Sequence, residues 1–472
     1  MDTLIKINIT DYVKNSSSLM KKLDAMEKED YNKKIGFVEN PNGKIGFNCN
    51  IFSRFFLENV TVISQINGNQ LALYNYKKGV YELNTSDKLA KIIKYFFNKK
   101  EDLWRVSYER KAIISITRDV FLVAKEFNNG NYINLKDGIL DLSSFKLKKH
   151  SPEYLSSVQL PFEYKVNVET PVFNKYLEDI SCGDNEIKNI LQEMTGYCLT
   201  NKTSAEKAFF LIGNGCNGKS VYAQLLQNLC GKGNYSNTSL SALGENFGLA
   251  QLVNSNVNIS AENSSAKIKS EIFKAVVSGD TVEVNQKHSA AQSVKLHTKL
   301  VLLFNTLPES EDLTYGFLRR VLIIPFNLNL TKENIDVTLP EKLNEELPGI
   351  FHWAIEGLRR LQEKNYIFSE SVACEKSLQI YKQTLNPVAE FFHQNYEIIE
   401  NTKIRRSDIY KNYDIYCRNN SIECISCQKF WDLLKADFAN SEIPFIIKKI
   451  KGYEYIENIS VKETFEEDLL NL

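Results

Sequence analysis

Eight consecutive residues have the types and spacing to hold a polyphosphate. Gly213-Asn214-Gly215-Cys216-Asn217-Gly218-Lys219-Ser220 reads G-x-x-x-x-G-K-S. The apolar run Ala208-Phe209-Phe210-Leu211-Ile212 precedes it, and Val221 to Leu229 follows with apolar positions at helical spacing. Strand, glycine loop and helix start is the context in which such a loop cradles phosphates. Glycines let backbone N–H groups curl around phosphate oxygens, Lys219 can reach the β- and γ-phosphates, and Ser220 can hold Mg²⁺. Gly213 to Val221 are therefore candidates for binding a nucleoside triphosphate, ATP with Mg²⁺.

Four downstream features could complete the chemistry. Val257-Asn258-Ile259-Ser260-Ala261-Glu262 is a strand pattern ending in a single acid. Glu262 there could hold Mg²⁺ through water and orient an attacking water. Lys299 to Phe304 is a buried-type strand leading to Asn305, which could sense a γ-phosphate. Arg319-Arg320 lead into the strand pattern Val321 to Phe326, and Arg320 lies 15 residues after Asn305. An arginine so placed can neutralise charge on a transferred phosphoryl group, often across a subunit boundary. Ser278-Gly279-Asp280 opens the fourth, in which Val282 and Val284 alternate before a polar tip, Asn285 to His288. Lys287 and His288 on such a tip could contact nucleic-acid phosphates.

These parts need an α/β scaffold to position them. The chain has 472 residues, 43% hydrophobic and 25% charged, an ordinary globular composition with length for about three domains. Lys+Arg and Asp+Glu both total 58, which argues against a wholly basic coat and permits basic patches. No apolar run approaches the ~18 residues of a membrane span, and the start lacks a signal-peptide layout, so a cytoplasmic protein with no membrane partner is expected. Nine cysteines suit reduced thiols; Cys424-Ile425-Ser426-Cys427 is a lone C-x-x-C without a second pair for zinc. Met20 to Lys34 reads as one charged helix, and Gln70 to Tyr76 with Val80 to Leu83 as a hairpin. Further helices are expected over Ser86 to Phe97, Val172 to Tyr197 and residues 340–365, with two short strands around Lys136-Asp137-Gly138. Residues 205–330 alternate strands and helices, and Thr384-Leu385-Asn386-Pro387 is a candidate linker.

The C-terminal residues read as three helices and a hairpin, the order of a winged helix-turn-helix. The helices are Val388 to Ile399, Asp408 to Asn419 with Ser407 as N-cap, and Cys427 to Ala439 capped by Ser426. The hairpin turns at Gly452, between Phe445 to Lys451 and Tyr453 to Ile456. Lys429 and Lys435 would lie on the recognition helix and Lys448, Lys449 and Lys451 on the wing, a duplex-DNA-binding arrangement.

In this order and at these spacings the set resembles the superfamily-3 helicases, AAA+ P-loop motors of viruses and mobile elements, and within them the phage/plasmid primase-type helicases that include the poxvirus replication helicase. Asn134 to Leu142, Val158 to Tyr164, Gly196-Tyr197-Cys198-Leu199, Phe317-Leu318-Arg319-Arg320 and Glu346 to Ala354 carry the likeness beyond the motor motifs. The resemblance implies an α/β AAA+ core with an α/β N-terminal domain and a C-terminal winged helix. It divides the chain at 1–170, 171–370 and 371–472. It implies a homo-hexamer, ATP between subunits, single-stranded DNA in the channel, and a finger at Arg320 with Arg319 second. A lysine before the phosphate loop, here nearest Lys207, would touch nucleotide across the interface. The tip holding Lys287 and His288 is similar to the DNA-tracking hairpin of papillomavirus-type initiator helicases. The expected function is an ATPase and replicative helicase acting as replication initiator of a mobile element, with host replication proteins as further partners. A staphylococcal pathogenicity island, phage or plasmid would suit the Asn/Lys/Ile-rich usage. A nucleotide-switched DNA-binding regulator is the alternative. The domain before the motor starts near residue 47, which leaves no room for a primase; no primer synthesis is expected.

Overall fold

The computed structural model describes residues 7–39, 43–65, 71–83, 85–124, 127–253, 255–261, 268–285, 291–310, 312, 315–329, 336–419, 423–438 and 445–462. The architecture is mixed α/β and centres on a five-stranded parallel sheet. Its strands run in the order Tyr235–Ser236, Val257–Ala261, Lys299–Phe304, Ala208–Ile212, Val321–Pro325. Lys299–Phe304 is central, and Ala208–Ile212 lies next to it, in parallel register with Val301 to Phe304 on one side and Val321 to Pro325 on the other. All six residues of Lys299–Phe304 are buried. Their continuous apolar run follows from a strand covered on both faces.

Lys299 begins that strand, 3% exposed, and its ammonium donates to the carbonyls of Thr200 and His297. Burial pushes its pKa down from 10.5 to about 8, and the buried thiols Cys198 and Cys230 counter this only in part. Between those values the unfolded chain holds a proton that the folded one has released, so stability rises with pH. Wild type should therefore gain stability relative to Lys299→Met as pH climbs from about 8 to about 10. Urea midpoints across that range measure it; a constant gap would show that Lys299 stays charged.

Residues before the parallel sheet form an aromatic unit and a smaller sheet. The expected hairpin is present as Leu71–Asn75 with Val80–Glu82, antiparallel and joined by Val62–Gln65 and Val123–Ala124. Ser86–Phe97 is helical as read from the sequence. The single helix expected over Met20 to Lys34 is instead two, Ser16–Ala25 and Lys28–Lys34, parted by extended backbone at Met26 and Glu27. The break lets Leu23 and Tyr31, both fully buried, enter one core, where the Tyr31 hydroxyl donates to the Phe96 carbonyl at 2.6 Å.

Asn134 to Leu142 and Val158 to Tyr164 lie together. Tyr132–Leu135, Gly138–Asp141 and Lys146–Lys148 form a three-stranded sheet, and the Leu160 N–H donates to the Asn134 carbonyl at 2.9 Å. The apolar side chains of this sheet share one core with the helices around the parallel sheet: Leu135, Leu140 and Phe162 join Phe173, Leu226 and Phe351.

Val172 to Tyr197 is two helices, Pro171–Ser181 and Asn185–Cys198, because Cys182 and Gly183 adopt positive φ of 52° and 78°. Asp184 then caps the second helix through the N–H groups of Glu186 and Ile187. The Glu346 carboxylate accepts from the Val172 and Phe173 N–H groups at 3.0 and 2.8 Å, so a residue distant in sequence closes the N-terminus of the first.

Asn386, expected in a linker, is a tight joint between helices Val372–Leu385 and Pro387–Asn395. Its side chain accepts from the Ala389 N–H and donates to the Leu433 carbonyl. The C-terminal helix expected to reach Ile399 ends at Asn395, and Tyr396–Arg405 is a strand pairing with Tyr453–Val461, which also pairs with Ile447–Ile450. Three helices, Pro387–Asn395, Arg406–Asn419 and Cys427–Phe438, pack with this sheet around Phe391, Tyr413 and Trp431. Ser426 caps the last helix, its hydroxyl accepting from the Lys429 N–H. Ser407 is not a cap: it lies inside the helix that starts at Arg406, and its hydroxyl donates to Asp408.

Candidate functional site

Lys219 stands where the sheet geometry delivers it. Strand Ala208–Ile212 ends at Gly213, the loop crosses the sheet edge, and helix Lys219–Cys230 begins behind Gly218. Only glycine fits at position 213, where an added Cβ would stand 2.3 Å from the Phe326 carbonyl oxygen. Cys216 and Gly218 take positive φ of 51° and 88°, which turns the loop back on itself. Gly218 offers no side-chain cap, so the first helical N–H groups turn toward the loop, where Asn217 Oδ1 accepts from the Lys219 N–H at 3.4 Å. Gly215 has open space, with nothing within 4 Å of an added Cβ. Asn217, 3% exposed, holds the loop from inside by donating to the Phe326 and Asn214 carbonyls.

The Lys219 ammonium is buried and donates to three neutral oxygens: the Gly213 carbonyl, Asn217 Oδ1 at 3.2 Å and Asn305 Oδ1 at 3.4 Å. Burial lowers its pKa. A desolvated cation served by neutral acceptors, beside a helix N-terminus and an open glycine, is a donor set suited to a phosphate chain. The contact also joins two of the residues picked out from the sequence, Lys219 and Asn305. Ser220 and Asn214 are exposed at the same edge, and Val221 is half-buried.

Glu262 lies outside the described residues. Ala261, which precedes it, pairs with Leu303, so that strand leaves the sheet at the same edge. Lys287 and His288 also lie outside them, in the chain joining Thr281–Val284 to Gln292–Lys295, which pair antiparallel. This pair of strands agrees with the alternation read at Val282 and Val284.

Arg319, Arg320 and Lys207 gather at the opposite edge. The Ala208 N–H donates to the Arg320 carbonyl at 2.7 Å, at the start of two parallel strands whose other ends carry the loop. Five strand residues separate the edges, about 16 Å at ~3.3 Å per residue. These cations therefore stand far from their own chain's Lys219. Sequence reading missed the residue that gathers them. Glu206, at positive φ of 46°, reaches Arg319 Nη2 at 2.6 Å and Arg320 Nη2 at 3.3 Å through one carboxylate oxygen. Lys207 donates to the Arg319 carbonyl, and burial lowers its pKa, helped by Arg319. Tyr176 was also missed; its hydroxyl donates to the Gly218 carbonyl at 2.9 Å, bracing the loop. Neither had a local signal, since each works through partners distant in sequence.

In the C-terminal unit the five lysines are exposed. Lys429 and Lys435 are on helix Cys427–Phe438, Lys448 and Lys449 on strand Ile447–Ile450, and Lys451 at the turn. Glu454 pairs with Arg406 at 2.5 Å and lies opposite Lys449 on the neighbouring strand, and Arg406, then Lys449 and Lys435, hold its carboxyl below the ordinary range, so cations of both helices and the strand gather about it. Lys448 points to the other side of the strand and pairs with Glu457 at 3.0 Å.

The glycine loop, Lys219 and Asn305 thus meet at one edge of the parallel sheet of a mixed α/β chain. Residues 105–182 match a family model described as D5 N terminal like, residues 211–320 a family of unknown function (DUF5906), and residues 386–443 the RFX DNA-binding domain. The chain is 22% identical over 333 residues to a "Putative helicase" of Acanthamoeba polyphaga mimivirus, covering 63% of this chain and 34% of that protein. It is 21% identical over 388 residues to a "Putative helicase" of Invertebrate iridescent virus 6, covering 72% and 40%. The chain thus spans roughly a third to two fifths of the length of these relatives. The apo C-terminal region of NrS-1 superposes with a TM-score of 0.48 at 13% identity, over 84% of this chain and 95% of that one. The D5 match and the viral relatives support, at low identity, a replication family of primase–helicase type. Among the described residues no helix is long and apolar enough to cross a membrane.

Proposed function

We propose that the chain is an ATP-dependent DNA helicase and replication initiator of a mobile genetic element, working as a homo-hexamer with an AAA+ core over residues 171–370 and a winged helix within 371–472. The observation that carries this is the buried Lys219 ammonium joined to Asn305 at the mouth of a glycine loop, on the edge of a parallel sheet. Lys219 and the loop N–H groups bind the β- and γ-phosphates. Ser220 and, through water, Glu262 would hold Mg²⁺, which supplies charge neutralisation on the phosphates when bound. Asn305 reports the γ-phosphate to the sheet through its contact with Lys219. One arginine of the pair at the far sheet edge acts on the nucleotide of a neighbouring copy. Lys287 and His288 grip a single strand of DNA, and the face shared by Lys435 and Lys449 binds duplex phosphate.

The test is ATP-driven unwinding of a forked DNA duplex, wild type beside Lys287→Ala/His288→Ala. The double variant should hydrolyse ATP without DNA as wild type does and lose unwinding by about tenfold or more, the effect of two lost charge-assisted phosphate contacts. Wild type that hydrolyses ATP yet unwinds no fork of either tail polarity would instead make the chain a nucleotide-switched DNA-binding regulator.

A further inference from the structure

The two adjacent arginines are built differently. Arg320 has a side chain only 13% exposed, with every arm occupied: Nε donates to Ser278 Oγ at 3.0 Å, Nη1 to the Gly316 carbonyl, and Nη2 pairs with Glu206. Arg319 has a side chain 40% exposed and, among the described residues, is held at one point, by Glu206 at 2.6 Å. A group that must reach another molecule needs a side chain that can leave, and only Arg319 has one.

Ser278 gives the Arg320 contacts their meaning. It is the last residue of helix Ser270–Ser278; Gly279 follows at positive φ, and strand Thr281–Val284, the first arm of the hairpin, starts two residues later. The root of that hairpin also rests on the Glu206 segment, since an added Cβ on Gly279 would meet Thr203 Oγ1 at 2.4 Å. Arg320 thus bridges the Glu206 carboxylate and the hairpin root.

We infer that the pair divides its work: Arg319 reaches the nucleotide phosphates of a neighbouring copy, and Arg320 is a positioning residue that passes this contact through Ser278 to the hairpin. Glu206 is the shared counter-ion. A triphosphate, more highly charged than one carboxylate, draws Arg319 away, and the load on Glu206 shifts to Arg320. The inference rests on the motor reading proposed above and reverses the order that the family resemblance implied for the two arginines.

Full-length Arg319→Ala, Arg320→Lys and Ser278→Ala are compared for ATP turnover and for base pairs unwound per ATP. Arg319→Ala should lose turnover by about a thousandfold, the effect of a missing arginine finger, while still binding nucleotide. Mixed with Lys219→Ala subunits it should regain part of that turnover. Ser278→Ala and Arg320→Lys should keep turnover within about threefold and unwind roughly tenfold less per ATP, the shift carried by one hydrogen bond to a charged group. A thousandfold loss in Arg320→Lys with turnover retained in Arg319→Ala overturns the division, as does wild-type unwinding per ATP in Ser278→Ala. Wild type that hydrolyses ATP and unwinds nothing removes the motor reading and the coupling together, while the turnover ratio still decides which arginine is the finger. Wild type without turnover overturns both.

Discussion

Lys219→Ala should lose ATP turnover by about a hundredfold to a thousandfold, the size of effect seen when a preorganised donor to a developing anion is removed. The same variant should be as stable as wild type without nucleotide, or more so. The reason is the environment of the ammonium. It is 5% exposed, burial lowers its pKa, and its three acceptors are the neutral oxygens of Gly213, Asn217 and Asn305. Neutral acceptors repay only part of the desolvation of a charge, so deleting the charge removes a cost. Function and stability therefore move in opposite directions. Phosphate release and thermal unfolding, each with and without ATP·Mg²⁺, separate them. Nucleotide at a hundred times its Kd should add about 2.7 kcal/mol of stability to wild type and little to the variant. A variant that is unstable without nucleotide, or that turns over ATP normally, would remove the phosphate-binding role from this loop.

Gly196→Ala should be among the most destabilising single changes in the motor, about 3 kcal/mol or more, although the residue touches no nucleotide. An added Cβ would stand 2.2 Å from the Ala354 carbonyl oxygen and 2.9 Å from the Leu358 nitrogen. Both are backbone atoms of helix Leu347–Glu363, so no side-chain rotation gives relief. The approach is reciprocal: a Cβ on Gly357 would meet the Gln192 backbone at 2.5 Å. Two helices cross at closest range through a glycine on each. The Gln192 side chain locks the crossing by donating to the Trp353 carbonyl at 2.8 Å. Urea unfolding measures the effect, with Gly215→Ala as the control, since an added Cβ there meets nothing within 4 Å. Equal midpoints for the two variants would show that the helices part at little cost. The two sequence signatures Gly196-Tyr197-Cys198-Leu199 and Glu346 to Ala354 thus have a packing explanation: they are the two sides of one contact.

Local patterns carried the parts of the fold that they could. The strand before the glycine loop, the helix after it, the hairpin at Val80 and the helix Ser86–Phe97 all have strong short-range periodicity, and they stand where the sequence puts them. Tyr396–Arg405 did not read as a strand because most of its residues are exposed, so no alternation of apolar and polar residues marks it. Its partner, Tyr453–Val461, fixes it from a distance. The break at Cys182-Gly183 was passed over because apolar residues recur on both sides of it. In the site, Lys219 and Asn305 were legible as types at the ends of strands, but their contact was not. Glu206 was illegible, because its two arginines arrive from more than a hundred residues away and only the parallel pairing of Ala208 with Val321 brings them beside it.

The core shared by Leu135, Leu140 and Phe162 with Phe173, Leu226 and Phe351 bears on how such a chain can be shortened or recombined. The Phe162 and Phe351 rings lie 5.0 Å apart, and Pro161 is within 3.0 Å of where a Cβ on Gly231 would stand, just past the helix that carries Lys219. A cut at residue 171 would follow the order of the motifs and still strip an apolar wall from the core around the parallel sheet. Exchange between relatives would preserve a working engine only if the small sheet at 132–148 and the strap through Phe162 travelled with it. A splice upstream of strand Tyr132–Leu135 would keep that wall but break the bonds that tie it to the preceding sheet, among them the Tyr81 N–H to the Ser156 carbonyl at 2.7 Å and Asn134 to the Gly79 carbonyl at 2.9 Å.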